Sequence, residues 1–338
     1  MFFKNVKYKV NLICELKEYL EDYEIVNISI GENNDYYILA VNSIPPRIDG
    51  MFPQTQTTTC QNYKVIILKW DNVFTINIDN QEWNYHFVQP VGNDKVLLVC
   101  ARSKYYGQNK YDLNGKIFDM NGVLVNEFLL GDGIQDLKVT EKNIIWTSYF
   151  DEGVFGNYGW DNPVGACGLR AWNQEGKPEY SYNNSGDNVI CDCYALNVVN
   201  DNEVWFYYYD EFLLGRINGG KIDYYNPNLS GADGFLIYDK YVLFRGGYNN
   251  RDEYHLLEFI KGGKLKENKI ITLIDENGES VIANNIDCRG SRLLLRVGTK
   301  LYYADLKEMV NILKNRINIF LMLNRGERLW KKKQSPFG

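Results

Sequence analysis

Six side chains able to bind ligands or move protons fall at equivalent points of a repeating pattern. Asn27, His86, Asp136, Tyr194, Asp233 and Asn285 each open a strand that runs into a tight turn, and Asp192 stands just ahead of Tyr194. Carboxylates and amides gathered from distant segments suit a hard cation such as Ca²⁺, which takes oxygen ligands. On that reading Asn27, Asp136, Asp192, Asp233 and Asn285 hold the ion. His86 or Glu152, with Asp151 beside it, is then the base of a metal-assisted hydrolase or lyase. Arg102, Tyr149, Arg245 and Arg296 follow at the ends of the next strands. Arg102, Tyr149, Trp160, Tyr194 and Arg245 form the set expected to touch an organic ligand. Each residue also has a structural reading, because Asp and Asn at strand starts cap turns and satisfy backbone N–H groups.

The segment 151–168, DEGVFGNYGWDNPVGACG, is the densest in functional groups. Asp151, Glu152 and Asp161 lie among Phe155, Tyr158 and Trp160, a mixture that could stack a sugar or support acid/base chemistry on one. Its glycines equally allow a plug or lid over a channel. Other signals are weak. There is no G-x-S-x-G elbow, Walker loop, H-E-x-x-H or C-x-x-C pair. His86 beside Phe87 reads as readily as a packed residue as a base.

The elements that must position these groups repeat. EIVNISI–GENND–YYILAVN, NYHFVQPV–GND–KVLLVCA, IQDLKVT–EKN–IIWTSYF, CYALNVV–NDNE–VWFYYY, ADGFLIY–DK–YVLFRG and IANNIDC–RGS–RLLLRV each read as strand, turn, strand. The spacing, roughly 40 to 60 residues, is that of propeller blades. A second hairpin follows five of the six, through WDNV, MNGV, NQEGK, INGGK and KGGK. The sixth lacks its outermost strand, which residues 5–14 can supply. The expected fold is all-β: a six-bladed β-propeller of four-stranded blades over 1–306, closed by the N-terminal strand. An amphipathic C-terminal helix and basic tail are expected over 307–338, with apolar positions Met309, Val310, Leu313, Ile317, Phe320 and Leu321 at helical spacing.

In such a fold one face carries only tight turns, and the other carries the loops 43–60, 103–114, 151–168 and 246–253. Long loops on a rigid scaffold are where binding residues concentrate, so the long-loop face is the expected site. The topology and the Asn/Asp ring resemble, at fold level, the six-bladed lactonase and phosphotriesterase propellers. That resemblance implies a calcium ion at the channel mouth and carries over only a location.

Composition bounds the rest. The 14% aromatic share, with 26 Tyr, favours strands. The net charge of −6 hides a basic stretch at 307–333 with eight Lys/Arg against two Asp/Glu. The acidic body argues against a nucleic-acid groove, while the tail could meet an acidic partner. No apolar run is long enough to span a membrane. Seven Cys, an odd number, several in apolar strands, and no signal-peptide pattern read as reduced thiols in a cytoplasmic protein. The leading expectation is a propeller that binds a small ligand or a partner on its long-loop face. A calcium-assisted hydrolase and a protein-interaction scaffold stand beside it.

Overall fold

The computed structural model describes residues 5–46, 54–70, 72–248 and 250–315. Alternation within each strand sends every second side chain into the wedge between adjacent sheets. Leu39, Val41, Val65 and Ile67 of the first blade meet Val88, Val96 and Leu98 of the second in one buried cluster. Equivalent clusters fill the other wedges, so the core is a set of apolar seams between blades. The central channel is left to the polar side chains.

Six four-stranded antiparallel units result. The first comprises Glu24–Ile30, Tyr36–Val41, Gln56–Lys69 and Asn72–Trp83. The second comprises Phe87–Val91, Lys95–Val99, Gly115–Asp119 and Leu124–Phe128. The third is Ile134–Val139, Ile145–Tyr149, Leu169–Trp172 and Pro178–Ser181. The fourth is Asp192–Asn200, Glu203–Tyr209, Leu213–Asn218 and Lys221–Tyr225. The fifth is Phe235–Tyr238, Tyr241–Arg245, Glu253–Ile260 and Lys264–Ile274. The sixth has Asn285–Arg289, Arg292–Val297 and Lys300–Asp305. Each innermost strand touches the innermost strands of the blades before and after it, and that of the sixth touches that of the first. The ring is therefore closed, and the protein is a six-bladed β-propeller.

The closing segment differs from the single strand expected at 5–14. It is split at Val10. Asn5–Lys9 lies parallel on the outer strand of the fifth blade, with Asn5 opposite Ile270, and adds a fifth strand there. Asn11–Glu15 then runs antiparallel to Lys300–Asp305 and completes the sixth blade. Val10 is buried at the crossing and donates its N–H to Ile274 O at 2.9 Å. A chain that must leave one blade for the next cannot hold a single register, which is why the strand breaks.

A helix over 306–315 follows the last strand. Leu306, Met309 and Val310 bury against Tyr8, Val10 and Tyr302 in the wedge between blades five and six, with Leu313 packed beside them. The helical positions Ile317, Phe320 and Leu321 and most of the basic stretch lie outside the described residues, as does 47–53 of the first long loop. All seven cysteines are free thiols, with Cys100, Cys193 and Cys288 buried. No described helix is long and apolar enough to cross a membrane.

Candidate functional site

The long-loop mouth of the channel opens into a cavity of about 430 Å³. Asn27, Asp136, Tyr194, Asp233 and Asn285 line it together with the strand-end Arg245, so ring closure brings five of the six repeating positions together. Residues two apart on a strand share a face. Asp136 therefore presents Lys138 to the channel one step deeper, and Asp287 likewise presents Arg289. The third and sixth blades face each other across the axis, and their side chains meet. Lys138 Nζ lies 2.8 Å from Asp136 Oδ1 and 2.7 Å from Asp287 Oδ1. Asp287 Oδ2 also accepts the Ile30 N–H at 2.7 Å. Burial alone would lower the Lys138 ammonium, but Asp136 and Asp287 more than compensate and hold it charged. Burial pushes the Asp136 carboxyl up, and Lys138 pulls it back.

This arrangement does not fit a calcium ion. The Asp136 carboxylate that an ion would need is already engaged by the Lys138 ammonium. Asp233 Oδ2 is held by Arg245 Nη1 at 3.3 Å and Arg251 Nε at 3.6 Å. Asn285 Oδ1 accepts Arg296 Nε at 2.6 Å. Asp192 does not line the cavity. Among the described residues no three His, Cys, Asp or Glu side chains gather as an ion would require.

Several residues expected at the ligand do other work. Arg102 is fully buried and forms a bidentate pair with Asp132 at 2.8 and 2.9 Å; Nη1 reaches Glu152 Oε2 at 2.5 Å and the Tyr158 ring lies 4.1 Å away. It therefore staples the 151–168 segment to the second blade and has no face left for a ligand. Tyr149 is fully buried and donates its hydroxyl to Leu130 O at 2.5 Å. Trp160 donates Nε1–H to Ser103 O at 2.6 Å and packs on Tyr105 and Tyr111 of the preceding long loop. His86 accepts the Ala101 N–H on Nδ1 at 3.1 Å and does not line the cavity.

The 151–168 segment contains the short helix Asp151–Phe155 and the turn Val164–Cys167. Gly153 sits backbone to backbone on Gly133, where an added Cβ would fall 2.5 Å from Asp132 O. None of its residues lines the central cavity, so it is neither a plug in this mouth nor a sugar platform there. Asp151 instead faces Asp192. Burial first, then Asp151, push Asp192 up to about 7, and its Oδ1 has no partner among the described residues.

Lys138, Asp287, Arg289 and Gln89 carry the channel chemistry, and sequence reasoning missed them. The available signal was the two-residue spacing of opposite charges, in Asp136-Leu137-Lys138 and Asp287-Cys288-Arg289. A second cavity, about 880 Å³, opens at the opposite mouth among the tight turns, a face expected to be bare.

These features define the class: a six-bladed propeller with an ion-paired channel. Residues 184–304, spanning the last three blades, match the YxzG family. No functionally curated protein matches the chain in sequence. Among solved structures, YCF48 bound to D1 peptide is similar with a TM-score of 0.45 and 11% identity over 84% of this chain and 78% of that one. A gluconolactonase from Xanthomonas campestris is similar with a TM-score of 0.40 and 11% identity over 88% and 94%. Streptogramin B lyase is similar with a TM-score of 0.44 and 10% identity over 87% and 95%. The resemblance to lactonase-type propellers is one of fold.

Proposed function

We propose that the protein binds a small, neutral, polyhydroxylated molecule in the cavity at its long-loop mouth. The observation that carries this reading is charge balance joined to open hydrogen-bonding capacity. Asp136, Asp233 and Asp287 line the cavity with Lys138, Arg245 and Arg251, and all six are paired with one another. No net charge is left to select an ion. Polar atoms do remain: Asp233 Oδ1 and Gln89 Nε2 lie buried in the cavity wall with no partner among the described residues. A polyol supplies donors and acceptors together and needs no counter-charge.

The rim adds an aromatic shelf. Tyr194 stacks at 6.4 Å on Tyr209, meets Phe212 edge-on at 5.7 Å, and shares a 2.8 Å hydroxyl contact with Tyr248. Aromatic faces with polar tips suit the C–H faces and hydroxyls of sugars. The volume lies within the usual range for small-molecule sites.

Thermal-shift measurement against neutral sugars and cyclitols, with charged metabolites as a contrast set, tests the reading. A ligand at a hundred times its Kd should stabilise the fold by about 2.7 kcal/mol. Asp233→Asn exchanges the unpartnered acceptor for a donor, keeps an oxygen for Arg245, and should abolish the shift. Stabilisation by charged compounds alone, or shifts indifferent to Asp233→Asn, would refute it.

A further inference from the structure

The opposite mouth holds a group that the polyol reading does not use. Arg289 is 95% buried, being 5% exposed. Its guanidinium is pinned by neutral acceptors from three blades: Nε to Ile30 O at 2.9 Å, and Nη2 to Gln89 Oε1 at 2.9 Å and Val139 O at 3.0 Å. Nη1 has no partner among the described residues, and Arg289 lines the 880 Å³ cavity. Among the described residues no carboxylate comes within ion-pairing distance of it. A buried guanidinium met only by carbonyl dipoles is under-compensated, and a carboxylate reaching Nη1 would make a short charge-assisted bond.

The turns of the first, third and fourth blades bring Glu32, Glu141 and Asp201 to the same cavity. None has a cation at ion-pairing distance among the described residues. Burial pushes Glu32 up; Arg289 pulls it back, but Glu141, Asp201 and Asp35 add to the rise. The cavity then runs outward between blades four and five along an aromatic wall. Trp205 stacks on Tyr225 at 5.9 Å, and Tyr225 meets Phe259 edge-on at 4.8 Å. The cavity is also lined by Arg216, paired with Glu203, by Lys240, paired with Glu258, and by Arg292. The chemistry in order is one buried cation, a mixed rim in which Glu32, Glu141 and Asp201 are the acids without an ion-pair partner among the described residues, and an apolar wall, in a space too large for a free amino acid.

We propose that this cavity receives the C-terminal end of a peptide that finishes in a basic residue. The terminal carboxylate sits on Arg289, the basic side chain lies among Glu32, Glu141 and Asp201, and preceding apolar side chains run along Trp205 and Phe259. The site shares no lining residue with the polyol cavity; Gln89, which lines that cavity, is the one residue linking the two, through its Oε1 contact with Arg289.

Isothermal titration of the full-length protein with the acetylated tetrapeptide Leu-Phe-Gly-Lys tests it, with the C-terminal amide of the same peptide and free lysine as the other arms. The free-acid peptide should bind, and the amide should bind at least about tenfold more weakly, the scale of a lost charge-assisted bond. Free lysine should be weaker still. The double substitution Glu32→Gln with Glu141→Gln touches only turn residues and should weaken the free-acid peptide about fivefold or more without moving the melting temperature. Asp233→Asn, at the other mouth, should change nothing. Acid and amide binding equally, free lysine matching the peptide, the double variant binding like wild type, or binding lost in Asp233→Asn would each overturn the assignment.

Discussion

Replacing Lys138 by Met tests the channel directly. The side chain is 2% exposed, and its ammonium is the only cation in contact with both Asp136 and Asp287 among the described residues. Methionine keeps the length and apolar stem but removes the charge, leaving two carboxylates facing each other, Asp287 7% exposed and Asp136 27% exposed. Asp287 keeps the Ile30 N–H at 2.7 Å and Asp136 keeps the Leu137 N–H at 2.7 Å, so desolvation is partly met. Losing one partner of a buried ion pair costs about 3–5 kcal/mol, and that range is expected near neutral pH. Without Lys138, Asp136 loses the influence that opposes its burial, so its carboxyl rises further above the unfolded value. Neutral Asp136 is then the favoured native form, and the variant should lose stability as pH rises through that window and regain it on acidification. Urea unfolding followed by tryptophan fluorescence from pH 4.5 to pH 8 would read the difference from wild type. Adding Asp136→Asn to the variant should recover more than half of the loss. A loss below about 1 kcal/mol, or one independent of pH, would refute the triad as the channel's organising element.

Asp192→Asn should flatten part of the wild-type pH profile. Because Asp192 is raised to about 7, its contribution is whole below the unfolded carboxylate value of about 3.9 and gone above the folded one. The variant should therefore match wild type near pH 4 and exceed it by about 2–4 kcal/mol at pH 8, read as urea midpoints. Arg102→Met should cost about 3–5 kcal/mol through the orphaned Asp132 and speed amide exchange across 151–168 while leaving that of the sixth blade unchanged. Millimolar calcium should leave the wild-type melting temperature where it is, since Lys138 already engages the Asp136 and Asp287 carboxylates; a calcium-dependent rise would restore the metal reading.

The fold was legible because its signals are local. Period-two alternation and turns such as Gly92-Asn93-Asp94 or Arg289-Gly290-Ser291 act over a few residues, and six copies of one pattern leave little architectural freedom. Five of the six mouth positions, all but His86, were legible for the same reason, since a strand start is a fixed distance from its turn. What escaped depends on ring closure. Lys138 and Asp287 are ordinary polar positions on their own strands and become a pair only when the third and sixth blades stand opposite. Arg102 misled in a different way. A strand-end arginine beside a channel can turn towards the ligand or into the packing, and Asp132, which decides the matter, sits in a Gly-Asp-Gly turn with no feature of its own.

The divided closing segment makes distant parts of the chain wait for each other. Residues 5–15 are synthesised long before Lys264–Ile274 and Lys300–Asp305, yet they have no sheet to join until both exist. From then until the segment docks, the outer edges of the last two blades stand open to pairing with another copy. Slow docking of this clasp would set both the rate at which the ring becomes protected and the interval in which it can exchange strands with a neighbour.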